Sequence, residues 1–395
     1  MEKQRNIIIT GIQPWDIEIG SNCKNIAREF AKTHRVLYVN SPIDRVSGWK
    51  RRSEVSIQNR LKVINKEQPG LREVEKNLWV LDPSIYVLPI NWMPRFLFIP
   101  FNWLNGFRFA TCIEKAMTEL GFSECSLFTD SDMFRSLYLK DFLEIDEFIY
   151  YSRDNLMTVP YWEKHGAQME PIIMKKADVV VANSPHLAEI AKVYNPNSFY
   201  VGQGCDIEEY KNFNKDMIPE ELSRIKGPMI GYVGLLTSRR LDIKVIEKIA
   251  SSKPEWNVVL VGPEERSFKN SSLHFYKNIY FLGPKQPEEL PAYVNAFDVC
   301  INPQIINELT KGNYPRKIDE YLAAGKVTVA TYTPTMEVFK DHCYLAVSPI
   351  NYVKLIEEGL KENNKKLAEE RSVFAASHTW ENNVRLIWES LESAA

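Results

Sequence analysis

Arg316, Lys317 and Glu320 stand within one turn of chain in the run Asn313–Lys326, NYPRKIDEYLAAGK. Two adjacent cations at the start of a short helix suit a diphosphate, because a helix N-terminus already favours anions. A carboxylate one turn further on accepts hydrogen bonds from a pair of sugar hydroxyls. Together the three side chains outline a site for a nucleotide sugar. The plainer reading is a solvated helix face, since charged side chains mostly stand in water, with Tyr321 and Leu322 turned to the core. The elements needed to position the trio are legible around it. Lys317, Ile318, Tyr321, Leu322 and Ala323 recur at helical spacing. Pro315 is compatible with a first helical turn, and Gly325 sits where a helix C-cap is expected. The β-branched run VTVATYT that follows reads as a buried strand.

The same stretch resembles the donor-site segment of group 1 (family 4-like) retaining glycosyltransferases of the GT-B fold. That segment commonly reads Pro-x-Lys-x-x-Glu-Tyr-Leu-Ala-x-Gly-Lys, and Pro315, Lys317, Glu320, Tyr321, Leu322, Ala323, Gly325 and Lys326 match it. The resemblance implies an α/β fold of two Rossmann-like domains facing a central cleft, with a C-terminal helix crossing back to the first domain. It also implies a hexosyltransferase-like enzyme that moves a sugar from a nucleotide-diphosphate sugar to a glycan or lipid-linked acceptor. Anomeric configuration would be retained, and the setting would be cell-surface polysaccharide or glycan assembly. The nucleotide sugar is a co-substrate; no cofactor and no metal are expected. Donor contacts carried over are Gly234, then Arg239 or Arg240, with Gly262, Pro263 and Gly283 acting through backbone near the base. The family pattern is broken at one place: Gly312, eight residues before Glu320, stands where many relatives place a second glutamate on the transferred sugar. Asn313 or Glu308 would have to serve instead.

The rest of the chain has to supply the facing half of the site. Strand Asn6–Thr10, a helix from Asn22 through Ala31 and strand Val36–Asn40 make a βαβ unit. The loop between Gly11 and Gly20 lacks the GxGxxG dinucleotide fingerprint. Gly20 and Ser21 are expected on the acceptor side, together with His165 and Asn313. Strand Glu147–Tyr151 ends in Ser152-Arg153-Asp154-Asn155, and ligands bind at the carboxyl ends of strands in open sheets. Arg153 and Asp154 therefore join Lys317 and Arg240 as candidate catalytic groups. The expected domains are 1–206, a connection over 207–226, a nucleotide-sugar domain over 227–373, and a returning helix over 374–395. That helix carries Trp380, Val384, Ile387, Trp388 and Leu391 on one stripe.

Composition sets outer limits. The 395 residues are 45% hydrophobic and 25% charged, with a formal net charge of −2. That is enough for two cores and lacks the basic excess of a nucleic-acid binder. Six cysteines without a CxxC pair indicate neither a disulfide framework nor a zinc site. The start MEKQRNIIIT enters a strand directly, which reads as no signal peptide, and no run of roughly eighteen apolar residues is present to span a membrane. A cytoplasmic protein at the inner face of the membrane is the expectation. Residues 1–120 nevertheless hold 18 Lys and Arg against 12 Asp and Glu. Pro89–Ala110 is dense in Trp and Phe and is interrupted by Pro94 and Pro100. It reads either as core or, with the basic cluster in Val46–Arg52, as a membrane-surface element. Two other functions share these features: a non-hydrolysing nucleotide-sugar epimerase, and a non-catalytic nucleotide-binding partner in an assembly complex. The second is suggested by Gly312 in place of the glutamate and by the lack, near Arg153, of the histidine that many members of the resembled family carry there; the first would need carboxylate acid/base pairs in the first domain.

Overall fold

A computed structural model describes residues 4–16, 21–211, 213, 218–362 and 364–394. The chain forms two compact units, Met1–Gly202 with Asn383–Ala395, and Gln203–Asn382.

The first unit is built on an eight-stranded sheet. Its order is Ser198–Tyr200, Val179–Ala182, Glu147–Ser152, Cys125–Asp130, Asn6–Gly11, Arg35–Val39, Leu78–Leu81 and Leu71–Glu75. All neighbours are parallel except the last pair. The central strands are nearly continuous apolar runs, as parallel strands covered on both faces must be. The edge strand LREVE instead exposes Arg72, Glu73 and Glu75, charges that discourage pairing with another chain. Ser21 caps the helix Asn22–Ala31, accepting from Lys24 N at 3.2 Å.

The proline-interrupted aromatic segment is not broken. Arg95–Leu120 is one 26-residue helix with Pro94 at its N-cap and Pro100 inside its second turn. A proline so near the start removes only one ladder bond, and the buried face more than offsets it. That face is Phe98, Asn102, Asn105, Phe109 and Ile113.

The second unit carries a six-stranded, all-parallel sheet. Its order is Ile279–Phe281, Asn257–Val261, Met229–Val233, Val299–Asn302, Val327–Thr331 and Tyr344–Ala346. Alternate residues of one strand enter different cores: Val259 and Val261 join one cluster, Val258 and Leu260 the other. Both faces are therefore covered. The strand order reverses direction between Met229–Val233 and Val299–Asn302, which opens a crevice at the carboxyl edge.

The expected boundaries need correction. The division falls at Gly202 rather than 206. Residues 207–226 are not a free connection, because Ile207, Tyr210 and Leu222 are buried in the second unit's core. The expected helix over 374–395 is two elements, with Lys365–Ala375 ending before Trp380–Ala394 begins. Phe374 and Ala375 belong to the second unit's core, and only Asn383–Ala395 joins the first unit. The apolar stripe of that last helix is buried at Trp380, Val384, Ile387 and Leu391.

Candidate functional site

In the second domain three glycine turns meet at the carboxyl edge of the sheet. Gly234 follows its strand at φ +139° and Gly262 follows the next at φ +143°, backbone conformations that side chains rarely adopt. A Cβ on Gly262 would lie 2.0 Å from Gly234 O, so only glycine allows these turns to stack. Gly234 N donates to Val261 O at 2.9 Å, Gly262 N to Gly283 O at 2.9 Å, and Leu236 N to Pro263 O at 2.9 Å. Gly283 itself is at φ +68°.

The helix Lys317–Ala323 is fixed directly beside these turns. Val233 N donates to the Tyr321 hydroxyl at 2.9 Å, which ties the helix to the residue preceding Gly234. At the other end Gly325 (φ +68°) closes the helix as expected, with Lys326 N on Tyr321 O at 3.0 Å. Lys317 Nζ consequently reaches the glycine edge. It donates to the Tyr232 hydroxyl at 2.6 Å and lies 4.3 Å from the centre of that ring. A Cβ on Gly234 would come 3.0 Å from the same Nζ. No carboxylate neutralises Lys317 among the described residues, so its charge is available to a ligand.

Arg239 and Arg240 are exposed on the loop that follows Gly234, again with no acidic partner among the described residues. Their loop is stapled on both sides. Thr237 Oγ1 donates to Glu265 Oε2 at 2.7 Å, Asn307 Nδ2 to Arg239 O at 3.1 Å, and Ile305 N to Arg240 O at 2.9 Å. Either guanidinium is free to close on a phosphate. Glu320 is less free, because Arg316 pairs with it at 3.3 Å along the helix. Arg316 is therefore a partner of Glu320 rather than a second diphosphate cation beside Lys317. Asn313 N is bonded to Thr310 O at 3.2 Å in the loop after the short helix Glu308–Lys311, and Gly312 caps that helix.

Sequence reasoning missed the support beneath this group. Asp319 is fully buried, and its Oδ1 lies 2.7 Å from His378 Nδ1 and accepts from the Tyr314 hydroxyl at 3.2 Å. Burial pushes the Asp319 carboxyl up, while His378 and Tyr314 pull it the other way. Tyr232 was missed as well. Its only signal is a polar-tipped ring in an otherwise aliphatic strand, MIGYV.

The first domain ends its sheet differently. Arg153 Nε donates to Asp130 Oδ1 at 3.1 Å, and Arg153 Nη1 lies 3.7 Å from Asp154 Oδ2. Arg153, partly buried, is thus the partner of two carboxylates, which anchors it and leaves Asp154 the more accessible of the expected pair. Burial raises the Asp130 carboxyl, with Arg153 opposing. Around them the Thr10 and Thr129 hydroxyls lie 2.9 Å apart, and Ser136 Oγ donates to Thr10 Oγ1 at 2.8 Å. Ser21, expected on the acceptor side, is 3% exposed and engaged as a helix cap. Gly20 lies outside the described residues. His165 is a wall residue: its ring stacks on Phe98 at 3.8 Å, its Nε2 is 3.1 Å from Asn91 O, and burial lowers its pKa.

Asp130-Ser131-Asp132 is an Asp-x-Asp sequence that the expectation of no metal passes over. Asp130 meets Arg153, while Asp132 accepts from Phe134 N at 3.3 Å, Arg135 N at 3.1 Å and Ser136 Oγ at 3.2 Å. Among the described residues no group of three or more His, Cys, Asp or Glu side chains is placed to hold a metal.

Comparison with known proteins bears on the same domain. Residues 227–361 match the family model of group 1 glycosyl transferases. TuaH of Bacillus subtilis (strain 168), provisionally named a teichuronic acid biosynthesis glycosyltransferase, is 28% identical over 239 residues, 58% of this chain and 60% of TuaH. The chain thus matches less than two thirds of that relative's length. Sucrose-phosphate synthase of Thermosynechococcus elongatus superposes at TM-score 0.68 and 14% identity, covering 100% of both chains. Anabaena HepE in complex with UDP and glucose superposes at 0.66 and 14% identity, covering 99% of this chain and 100% of HepE. At such identities these structures establish the fold alone. The chain therefore has the GT-B fold, with a Rossmann-like sheet in each unit, and its residues 227–361 are similar to group 1 glycosyltransferases.

Proposed function

We propose that this protein transfers a sugar from a nucleotide-diphosphate sugar to a glycan or lipid-linked acceptor, with retained configuration and without a metal, in cell-surface polysaccharide assembly. The observation that carries the reading is the meeting of Gly234, Gly262 and Gly283 with an unneutralised Lys317 and two free arginines. Breaking the bond to the sugar leaves a diphosphate that gains charge as the sugar becomes oxocarbenium-like. Lys317 and Arg239 or Arg240 hold that charge in place of a metal, each such contact contributing about 3 kcal/mol, or roughly a hundredfold in rate. Glu320 positions the ribose by accepting from its hydroxyls and moves no proton. The name of TuaH and the UDP bound by HepE support the substrate class.

Donor consumption across a panel of UDP-, GDP- and other nucleotide sugars, with and without acceptor, tests the proposal. Acceptor-dependent consumption is expected. Turnover without acceptor would indicate an epimerase, and nucleotide binding without consumption a non-catalytic partner.

The acceptor side has its own physical marker. Among the described residues no helix is long and apolar enough to cross a membrane. Yet Trp49, Trp92 and Phe96 are 76%, 71% and 73% exposed, and Trp103 and Phe107 continue the open face of the helix Arg95–Leu120. Lys50, Arg52 and Arg95 lie among these rings without an acidic partner among the described residues, whereas Arg51 is bonded to Glu54. Aromatic and basic side chains in this mixture fit an anionic bilayer surface, so the proposed place of action is the inner face of the membrane. At about 1 kcal/mol per cation, replacing Lys50, Arg52 and Arg95 by Glu should cut vesicle partitioning by roughly a hundredfold at physiological salt. Equal co-sedimentation of variant and wild type would remove the membrane contact from the reading.

A further inference from the structure

The first domain contains a cavity of about 450 Å³ under the helix Arg95–Leu120. Phe98, Asn102, Asn105 and Phe109 form one wall, at spacings of four, three and four along the helix. The segment Val87–Ile90 forms the opposite wall. These walls are fixed to each other. Leu88 N donates to Asn105 Oδ1 at 2.8 Å, Asn105 Nδ2 donates to Leu88 O at 3.0 Å, and Asn102 Nδ2 donates to Phe134 O at 2.9 Å. These two asparagines thus satisfy backbone groups, while Asn91 on the same lining keeps a buried Oδ1 without a hydrogen-bond partner. The volume lies within the usual range for small-molecule sites, roughly 300–1,000 Å³.

Charge at the rim is unbalanced. Asp44, a carboxylate on the lining, already accepts from Val46 N and Ser47 N at 2.9 Å and from Ser47 Oγ at 2.6 Å. Lys164 Nζ donates to Trp92 O at 2.9 Å. Arg135, partly buried on the same lining, has no acidic partner among the described residues. A chamber with Phe98, Phe109, Phe134 and Ile90 on its walls, and at its edge a guanidinium with no acidic partner among the described residues, matches an anionic amphiphile. The mouth opens beside Val46, Trp92 and Tyr161, which are 46%, 71% and 48% exposed. The opposite side of the same helix is the open Phe96–Ile99–Trp103–Phe107 stripe. A ligand arriving from a bilayer would therefore meet apolar surface at the entrance.

We infer that this cavity receives the hydrocarbon chain of a membrane-derived acceptor that carries a phosphate, with Arg135 facing the phosphate. The inference rests on the transferase reading only in calling the occupant an acceptor; the binding itself is independent of the donor site. The test is calorimetric titration of the whole chain with dodecyl phosphate below its micelle concentration, beside inorganic phosphate and the uncharged dodecyl glucoside. Wild type should bind dodecyl phosphate saturably and inorganic phosphate at least tenfold more weakly. Val46→Trp, at a half-exposed rim position, should weaken both chain-bearing ligands by about tenfold or more. Arg135→Gln should weaken dodecyl phosphate by about tenfold and leave dodecyl glucoside unchanged. UDP titrated into the same proteins should bind alike in all three. Dodecyl phosphate affinity unaltered by Val46→Trp, or matched by inorganic phosphate, overturns the inference. Loss of UDP binding in wild type with dodecyl phosphate retained would defeat the donor reading and leave the cavity assignment standing.

Discussion

The two sheets end in opposite ways at their carboxyl edges. In the second domain the strands run into glycines, and Lys317, Arg239 and Arg240 beyond them have no acidic partner among the described residues. In the first domain Thr10, Thr129, Asp130, Ser136 and Arg153 fill the edge and bond to one another. An edge of bare backbone lets a ligand lie against amides and stacked turns, as a diphosphate requires. A filled edge holds its charges internally and offers a rigid polar floor. One architecture thus carries exposed cations beside bare backbone in one unit and polar groups bonded to one another in the other.

Substitutions that reverse this assignment sharpen it. Asp130→Asn should destabilise the protein by about 3 kcal/mol, because Arg153 is left partly buried with only the longer contact to Asp154. A thermal midpoint equal to wild type would mean that the first-domain edge is not held by its charges. Lys317→Ala should slow transfer by about a hundredfold, roughly 3 kcal/mol of barrier, with the melting curve unchanged. Near-normal turnover would remove the phosphate role from the second-domain edge.

The first domain should also carry a pH dependence. Burial pushes Glu170 up to about 7 from an ordinary 4.5, against the opposing hydrogen bond from the Tyr150 hydroxyl at 3.0 Å. The unfolded chain loses this proton at lower pH than the folded one. Stability from this group is thus complete below about pH 4.5 and falls as pH rises through 7, by at most about 3 kcal/mol. Glu170→Gln should flatten that slope in denaturant titrations across pH 5–8, and an unaltered slope would assign it to another group. The smallest effect belongs to Glu320→Gln, a neutral hydrogen bond in place of a charge-assisted one. Free-nucleotide affinity should fall by about tenfold. No change in affinity would leave Glu320 as a partner of Arg316 alone.

How much was legible in the sequence follows the same divide. The second-domain site is local: glycines directly after strands and a short capped helix, each readable from adjacent residues. The first-domain cluster is assembled from strands far apart in sequence, so the bond between Asp130 and Arg153 was invisible. Ser21 was recognised at the start of its helix, yet its burial as a cap could not be separated from a role on the acceptor side. Pro94 and Pro100 read as interruptions of the aromatic segment, yet packing of Phe98, Phe109 and Ile113 carries one helix through with a single lost bond. Residues 207–226 looked like a linker by charge, because the few apolar residues that bury them, Ile207, Tyr210 and Leu222, are too sparse to form a pattern.

The last helix has a consequence for biosynthesis. Trp380 packs on Gly204, where a Cβ would sit 2.2 Å from the ring, and its indole donates to Asp206 at 3.0 Å. Two turns later Trp388 lies 5.2 Å from Phe30 and 5.3 Å from His34, under the guanidinium of Arg5. The first unit therefore joins segments that precede and follow the second unit in sequence, so its two parts are synthesised with the whole second unit between them. While the ribosome works through that interval, Phe30 and its neighbours wait without their cover, and the nascent first unit is held open to chaperones until residues 383–394 emerge.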